Sequence, residues 1–108
     1  MSLIHQAKNA IKTPGFKPKQ RIYAVYKEAA GYETEQEDFK ALEKAGQLKQ
    51  GQLYVVETVD MGSCHTDIYL QGVDLPLNSI AFNFYTMENG KFVEYDIYSD
   101  KDLNPYMM

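Results

Sequence analysis

Ile80-Ala81-Phe82-Asn83-Phe84-Tyr85-Thr86-Met87-Glu88-Asn89-Gly90-Lys91-Phe92-Val93-Glu94-Tyr95-Asp96-Ile97-Tyr98 reads as two alternating runs folded about one tight turn. Ile80, Phe82 and Phe84 alternate with Ala81, Asn83 and Tyr85. Val93, Tyr95 and Ile97 then alternate with Glu94, Asp96 and Tyr98. A period of two places one set on a buried sheet face and the other towards water. Between the runs, Asn89-Gly90 takes the positive φ angles of a two-residue hairpin turn. The stretch therefore predicts a β-hairpin, its second strand running from Phe92 to Tyr98.

Working towards the N-terminus, Thr66, Ile68 and Leu70 alternate with Asp67, Tyr69 and Gln71, which predicts a half-buried strand. Leu53 to Val59 is apolar on both faces until Glu57, as in a strand at the centre of a core. Thr34 to Ala45 predicts a helix. Thr34 and Glu37 have capping-box spacing, Glu35, Glu37 and Asp38 complement the positive end of the dipole, and Gly46 follows as the stop. Phe39 and Leu42 supply its apolar stripe. Arg21 to Lys27, with Ile22, Tyr23, Val25 and Tyr26, predicts a strand, against a competing helix reaching Ala30. Leu3, Ile4, Ala7, Ala10 and Ile11 fall at helical spacing, and Thr13-Pro14-Gly15 ends that short N-terminal helix. Lys101 to Met108 has no period and contains Pro105, which predicts a surface tail.

The architecture that follows is mostly β within the α+β class. It is a small curled sheet or barrel of about five strands, with one helix inserted after the first strand and a short helix at the N-terminus. At 108 residues the chain forms one domain, residues 1–108. Within it, residues 1–15 are an arm, 20–100 the β core carrying the helix 34–45, and 101–108 the tail. Its 44% hydrophobic and 24% charged residues exclude a disordered chain. A lone cysteine, Cys64, excludes an internal disulfide and points to a reducing compartment. Apolar stretches such as Leu53 to Val56 are too short to span a bilayer, and Gln6, Lys8 and Asn9 interrupt any signal-peptide core. A cytoplasmic protein without membrane contact is the expectation.

Gly51-Gln52-Leu53-Tyr54-Val55-Val56, Asp60-Met61-Gly62, His65-Thr66, Ile68-Tyr69-Leu70, Gly72, Asn78-Ser79-Ile80, Phe82 and Phe84-Tyr85 carry a family likeness. This pattern resembles the core of small SH3-like barrels in uncharacterised proteins of Firmicutes phages and prophages. It spans roughly half of the chain, Gly51 to Tyr85. The resemblance implies an SH3-like barrel of phage or mobile-element origin and no catalytic residues. Two features depart from it: the helix after the first strand, and the acidic hairpin Glu88 to Asp100.

Charge is unevenly spread along a chain of net charge −4. Lys8, Lys12, Lys17, Lys19, Arg21 and Lys27 occur in a segment without acids. From Tyr54 to the end, nine acids (Glu57, Asp60, Asp67, Asp74, Glu88, Glu94, Asp96, Asp100 and Asp102) stand against Lys91 and Lys101 alone. The two halves either neutralise each other across the fold or form separate basic and acidic surfaces. Lys17, Lys19 and Arg21, flanked by Phe16 and Tyr23, are accordingly a candidate site for nucleic-acid phosphates, with a solvated strand face as the alternative.

Tyr54, Tyr69 and Tyr85 fall opposite the apolar rows and form a candidate aromatic strip for a protein partner, unless the helix and tail bury them. Asp60-Met61-Gly62-Ser63-Cys64-His65-Thr66-Asp67 is the densest polar segment. Asp60, His65 and Asp67 are its candidate metal ligands, yet a structural zinc site needs four ligands and the other histidine is the distant His5. Cys64 and His65, as neighbours on a strand, point apart and make a poor nucleophile pair. A tight turn with Gly62 at its bend is the simpler reading. Gly46 and Gly51 lack phosphate-loop spacing, and no Gly-x-Ser-x-Gly occurs. The expectation is a non-enzymatic binding or accessory module without a cofactor. Its partner is a protein, with nucleic acid the alternative.

Overall fold

The computed structural model describes residues 15–107. The expected N-terminal helix, Leu3 to Ile11, lies outside the described residues, as does His5. Strand β1 (Tyr23–Tyr26) leads to helix α1 (Glu33–Lys44). Strands β2 (Leu53–Met61), β3 (Thr66–Leu70), β4 (Leu77–Asn78), β5 (Phe82–Glu88) and β6 (Lys91–Glu94) follow. Short 3-10 turns occupy Ser79–Ala81 and Ile97–Ser99. All six strands belong to one antiparallel sheet in the order β4-β3-β2-β1-β5-β6. Among the described residues the protein is thus mostly β with one inserted helix, as the sequence indicates, with six strands where about five were expected. The sheet ends at β4 on one side and β6 on the other, so it does not close into a barrel.

Local chemistry explains each element. In β1, β-branched and aromatic residues alternate, and Ile22, Ala24 and Tyr26 are buried while Tyr23 and Val25 are half-buried. The expected strand therefore forms, the competing helix reaching Ala30 does not, and the chain turns at Gly31 into α1. The cap differs from the expected one. Tyr32 is the N-cap, and its backbone N–H donates to Glu35 Oε1 at 2.8 Å, whereas Thr34 lies inside the first turn and Glu37 beyond it. Phe39 and Leu42 bury the inner face of α1, Phe39 stacking on Tyr26 with centroids 5.7 Å apart.

The register shifts between Val56 and Thr58, so Glu57 is an extra residue in β2 opposite β3. The bulge leaves Val56, Val59 and Met61 in the same core as Ile68 and Leu70. Ahead of β1, Phe16 makes an isolated bridge with Val59, exchanging both backbone hydrogen bonds at 2.9 Å. Asn89 and Gly90, at φ 51° and 78°, form the hairpin turn read from the sequence.

Three expectations fail around the hairpin. Ile80 belongs to a 3-10 turn and is 53% exposed, and its neighbours Ser79 and Ala81 are buried instead. The last strand stops at Glu94, because Asp96 caps a 3-10 turn through Tyr98 N–H at 3.0 Å. That turn drops Ile97 into the core, while all four residues of β6, Val93 included, stay exposed. The tail is also anchored: Leu103 is fully buried. An aperiodic segment contributes its single leucine to the core through turns, and no pattern announces that.

Candidate functional site

A cleft of about 560 Å³ opens where four parts of the chain converge. The first turn of α1 brings Tyr32 and Glu35, and the β2–β3 turn brings Gly62 to His65. Asn78 and Ser79 form its base, and Tyr98, Asn104 and Tyr106 close the far side. At 560 Å³ it falls in the size range of small-ligand pockets.

The side chains on its floor are fixed by hydrogen bonds. Buried Asn78 donates from Nδ2 to Glu35 Oε2 at 3.2 Å and accepts at Oδ1 from Ile80 N–H at 3.2 Å. Glu35 is therefore held at both oxygens, by Asn78 and by the Tyr32 backbone. Gly31 makes this approach possible: it sits at φ 97°, and a Cβ there would lie 2.6 Å from Glu35 Oε1 and 3.2 Å from Asn78 Nδ2. Buried Ser79 shares a hydrogen bond with Tyr98 at 2.5 Å. Beside the cleft, His65 Nε2 lies 3.4 Å from Asp67 Oδ1. One ligand atom each from Glu35, His65 and Asp67 lie within 4.8 Å of one another.

The candidate metal residues are thus only partly brought together. His65 and Asp67 converge, and Asp60 does not join them. Asp60 is the cross-strand partner of Asp67, and burial together with the carboxylates of Asp60 and Asp67 pushes the Tyr69 phenol above its ordinary pKa. Glu35 takes the third place from a helix 30 residues earlier, where its acidity reads simply as a complement to the helix dipole. Cys64 is exposed, with Sγ 3.8 Å from Ser63 Oγ.

The tyrosine strip does not form as expected. Strand alternation puts Tyr54 in one row with Ala24 and Phe84, on the covered face. Tyr54 is 8% exposed, accepts from Lys49 N–H at 2.9 Å and donates to the Gln47 carbonyl at 3.1 Å. Tyr69 and Tyr85 lie on the opposite, outer face, separated by β2 and β1, or about 14 Å at ordinary strand spacing. A tighter aromatic group occupies that face instead. Phe92 meets Tyr23 edge-on at 5.3 Å and Tyr85 at 6.4 Å. The cross-strand pairs place Leu53 and Val25 in one neighbouring row and Met87 beside Phe92. Leu53, Met87 and Phe92 are all exposed. The sequence reading missed Tyr23 and Phe92 here because neither was registered against Tyr85.

Lys17, Lys19 and Arg21 lie in the segment before β1, along a polar groove of about 590 Å³ that Glu57 and Gln71 also line. Lys19 Nζ pairs with Asp102 Oδ1 at 3.2 Å, both exposed, so one basic side chain meets the acidic tail. No helix among the described residues is long and apolar enough to cross a membrane.

No curated protein and no solved structure matches the chain. A family model described as bacteriophage T4 protein Y07B matches residues 21–108, a span running from just before β1 to the last residue. On that match, the chain belongs to the bacteriophage T4 protein Y07B family.

Proposed function

We propose that this phage-family protein is a non-enzymatic binding module that docks a protein partner on the outer face of its sheet. The observation that supports the reading is the group Tyr23, Tyr85 and Phe92, extended by Val25, Leu53 and Met87, on the outer sheet face, where Phe92, Leu53 and Met87 are exposed and the other three half-buried. Aromatic clusters that reach the surface are what protein interfaces use as anchors. Glu94 stands in the same row as Tyr85, and Glu88 flanks Met87 in β5. These acids at the rim favour a partner whose apolar centre is edged by Lys and Arg.

The test is affinity capture from host lysate, with and without nuclease, using wild type and a Tyr85→Ala/Phe92→Ser variant. A nuclease-resistant protein recovered in stoichiometric amount by wild type and lost by the variant supports the reading. The affinity lost should be at least about 30-fold, the scale of one or two hot-spot side chains. Tyr54→Phe should leave capture unchanged, since Tyr54 is buried on the other face. Capture that survives the double variant while its thermal unfolding is unchanged would overturn the proposal. So would recovery of nucleic acid that nuclease removes, which would favour Lys17, Lys19 and Arg21.

A further inference from the structure

We propose that Glu35, His65 and Asp67 form a binding site for a divalent transition-metal cation of the zinc type, at the mouth of the cleft beside Asn78. Glu35 comes from α1, and His65 and Asp67, two residues apart, from the end of the β2–β3 turn and the start of β3. Convergence of a helix, a turn and a strand on one point is how metal sites draw their ligands together, unlike a run of acids along one surface.

The geometry is near that of a bound ion. His65 Nε2 and Asp67 Oδ1 are 3.4 Å apart. Two tetrahedral ligands at zinc bond lengths stand about 3.4 Å from each other. Glu35 completes the group, its ligand atom within 4.8 Å of the other two. Three protein ligands leave one coordination position for water or a ligand entering the 560 Å³ cleft.

Two further observations favour a cation over a chance cluster. Glu35 and Asp67 are half-buried carboxylates, and no Lys or Arg among the described residues pairs with either. Among the described residues, their mutual repulsion is thus met by the His65 imidazole beside Asp67 and by the Asn78 and Tyr32 donors to Glu35. Glu35 is also oriented from behind by Asn78 Nδ2 and the Tyr32 N–H, the outer-shell support that ligating carboxylates typically have. Each Glu35 oxygen keeps a lone pair for the ion. The imidazole selects the ion class, because nitrogen ligands suit zinc and its neighbours better than calcium or magnesium.

The experiment is calorimetric titration of tag-free, chelator-treated full-length protein with Zn²⁺, together with the thermal melt of each sample. One ion should bind per chain and raise Tm. His65→Ala, at an exposed position, should keep the metal-free Tm and weaken binding by more than about 100-fold, and Asp67→Asn by at least about tenfold. His5→Ala and Cys64→Ser should bind as wild type does, and the Co²⁺ form should lack a thiolate charge-transfer band. No uptake at millimolar Zn²⁺ would overturn the proposal. So would His65→Ala binding like wild type, or loss of binding in His5→Ala or Cys64→Ser. None of these outcomes bears on capture by the outer face, which is scored separately.

Discussion

Tyr26 joins two jobs in one side chain. Its ring packs between Phe39 and Phe82, and its hydroxyl donates to Glu43 Oε2 at 2.6 Å. Burial first, and then the hydrogen bond and charge of Glu43, push the phenol well above its ordinary range. A raised folded-state pKa means that the folded protein holds this proton more tightly than the unfolded chain does. The associated stability is complete below pH 10 and is lost progressively above it. Tyr69 and Tyr95 are shifted in the same direction, each chiefly by burial, with the Asp100 hydrogen bond next for Tyr95. Tyr26→Phe should cost about 1–2 kcal/mol at pH 7, measured by urea unfolding. Between pH 10 and 12 the variant should lose less further stability than wild type. Parallel decline of the two proteins over that range would refute this account of Tyr26.

At the scale of elements, the parts legible in the sequence are those whose signal is local. The Asn89-Gly90 turn, the Thr66 to Leu70 alternation and the Phe39/Leu42 stripe each read correctly because period and turn chemistry are properties of neighbouring residues. The cap of α1 was misplaced by two residues because Glu35, not Glu37, reaches back to a backbone N–H, and the N-cap Tyr32 has no capping side chain of the usual type. The C-terminal segment was illegible for another reason. Leu103 reaches the core through a turn capped by Asp100, which leaves no periodic trace, whereas Ile97 stands in the apolar row of the alternation but arrives from a 3-10 turn capped by Asp96 rather than a strand. Their role is measurable. Leu103→Ala should cost about 2–4 kcal/mol, the usual loss for a buried leucine. An unfolding midpoint equal to wild type would show that the tail is not part of the core.

For the whole molecule, what the sequence concealed is which surfaces meet. Tyr23, Tyr85 and Phe92 cluster and Tyr54 turns inward through cross-strand register, and Glu35 meets Asp67 because α1 docks through Asn78. The phage element of the resemblance agrees with the family to which the chain belongs, whereas a closed barrel gives way to an open sheet. An open sheet has edges, and β6 is one of them, with exposed Phe92 and Val93 flanked by Lys91 and Glu94. Charged residues at both ends of an apolar edge strand oppose pairing with another chain, because pairing would desolvate them. Both side chains are exposed, so their removal should change stability by less than about 0.5 kcal/mol. Lys91→Val/Glu94→Val should therefore unfold at nearly the wild-type temperature yet form larger species, read by light scattering at rising concentration. A variant that stays as monodisperse as wild type would mean that strand shortness alone protects this edge, and that the two charges serve the partner-facing rim instead.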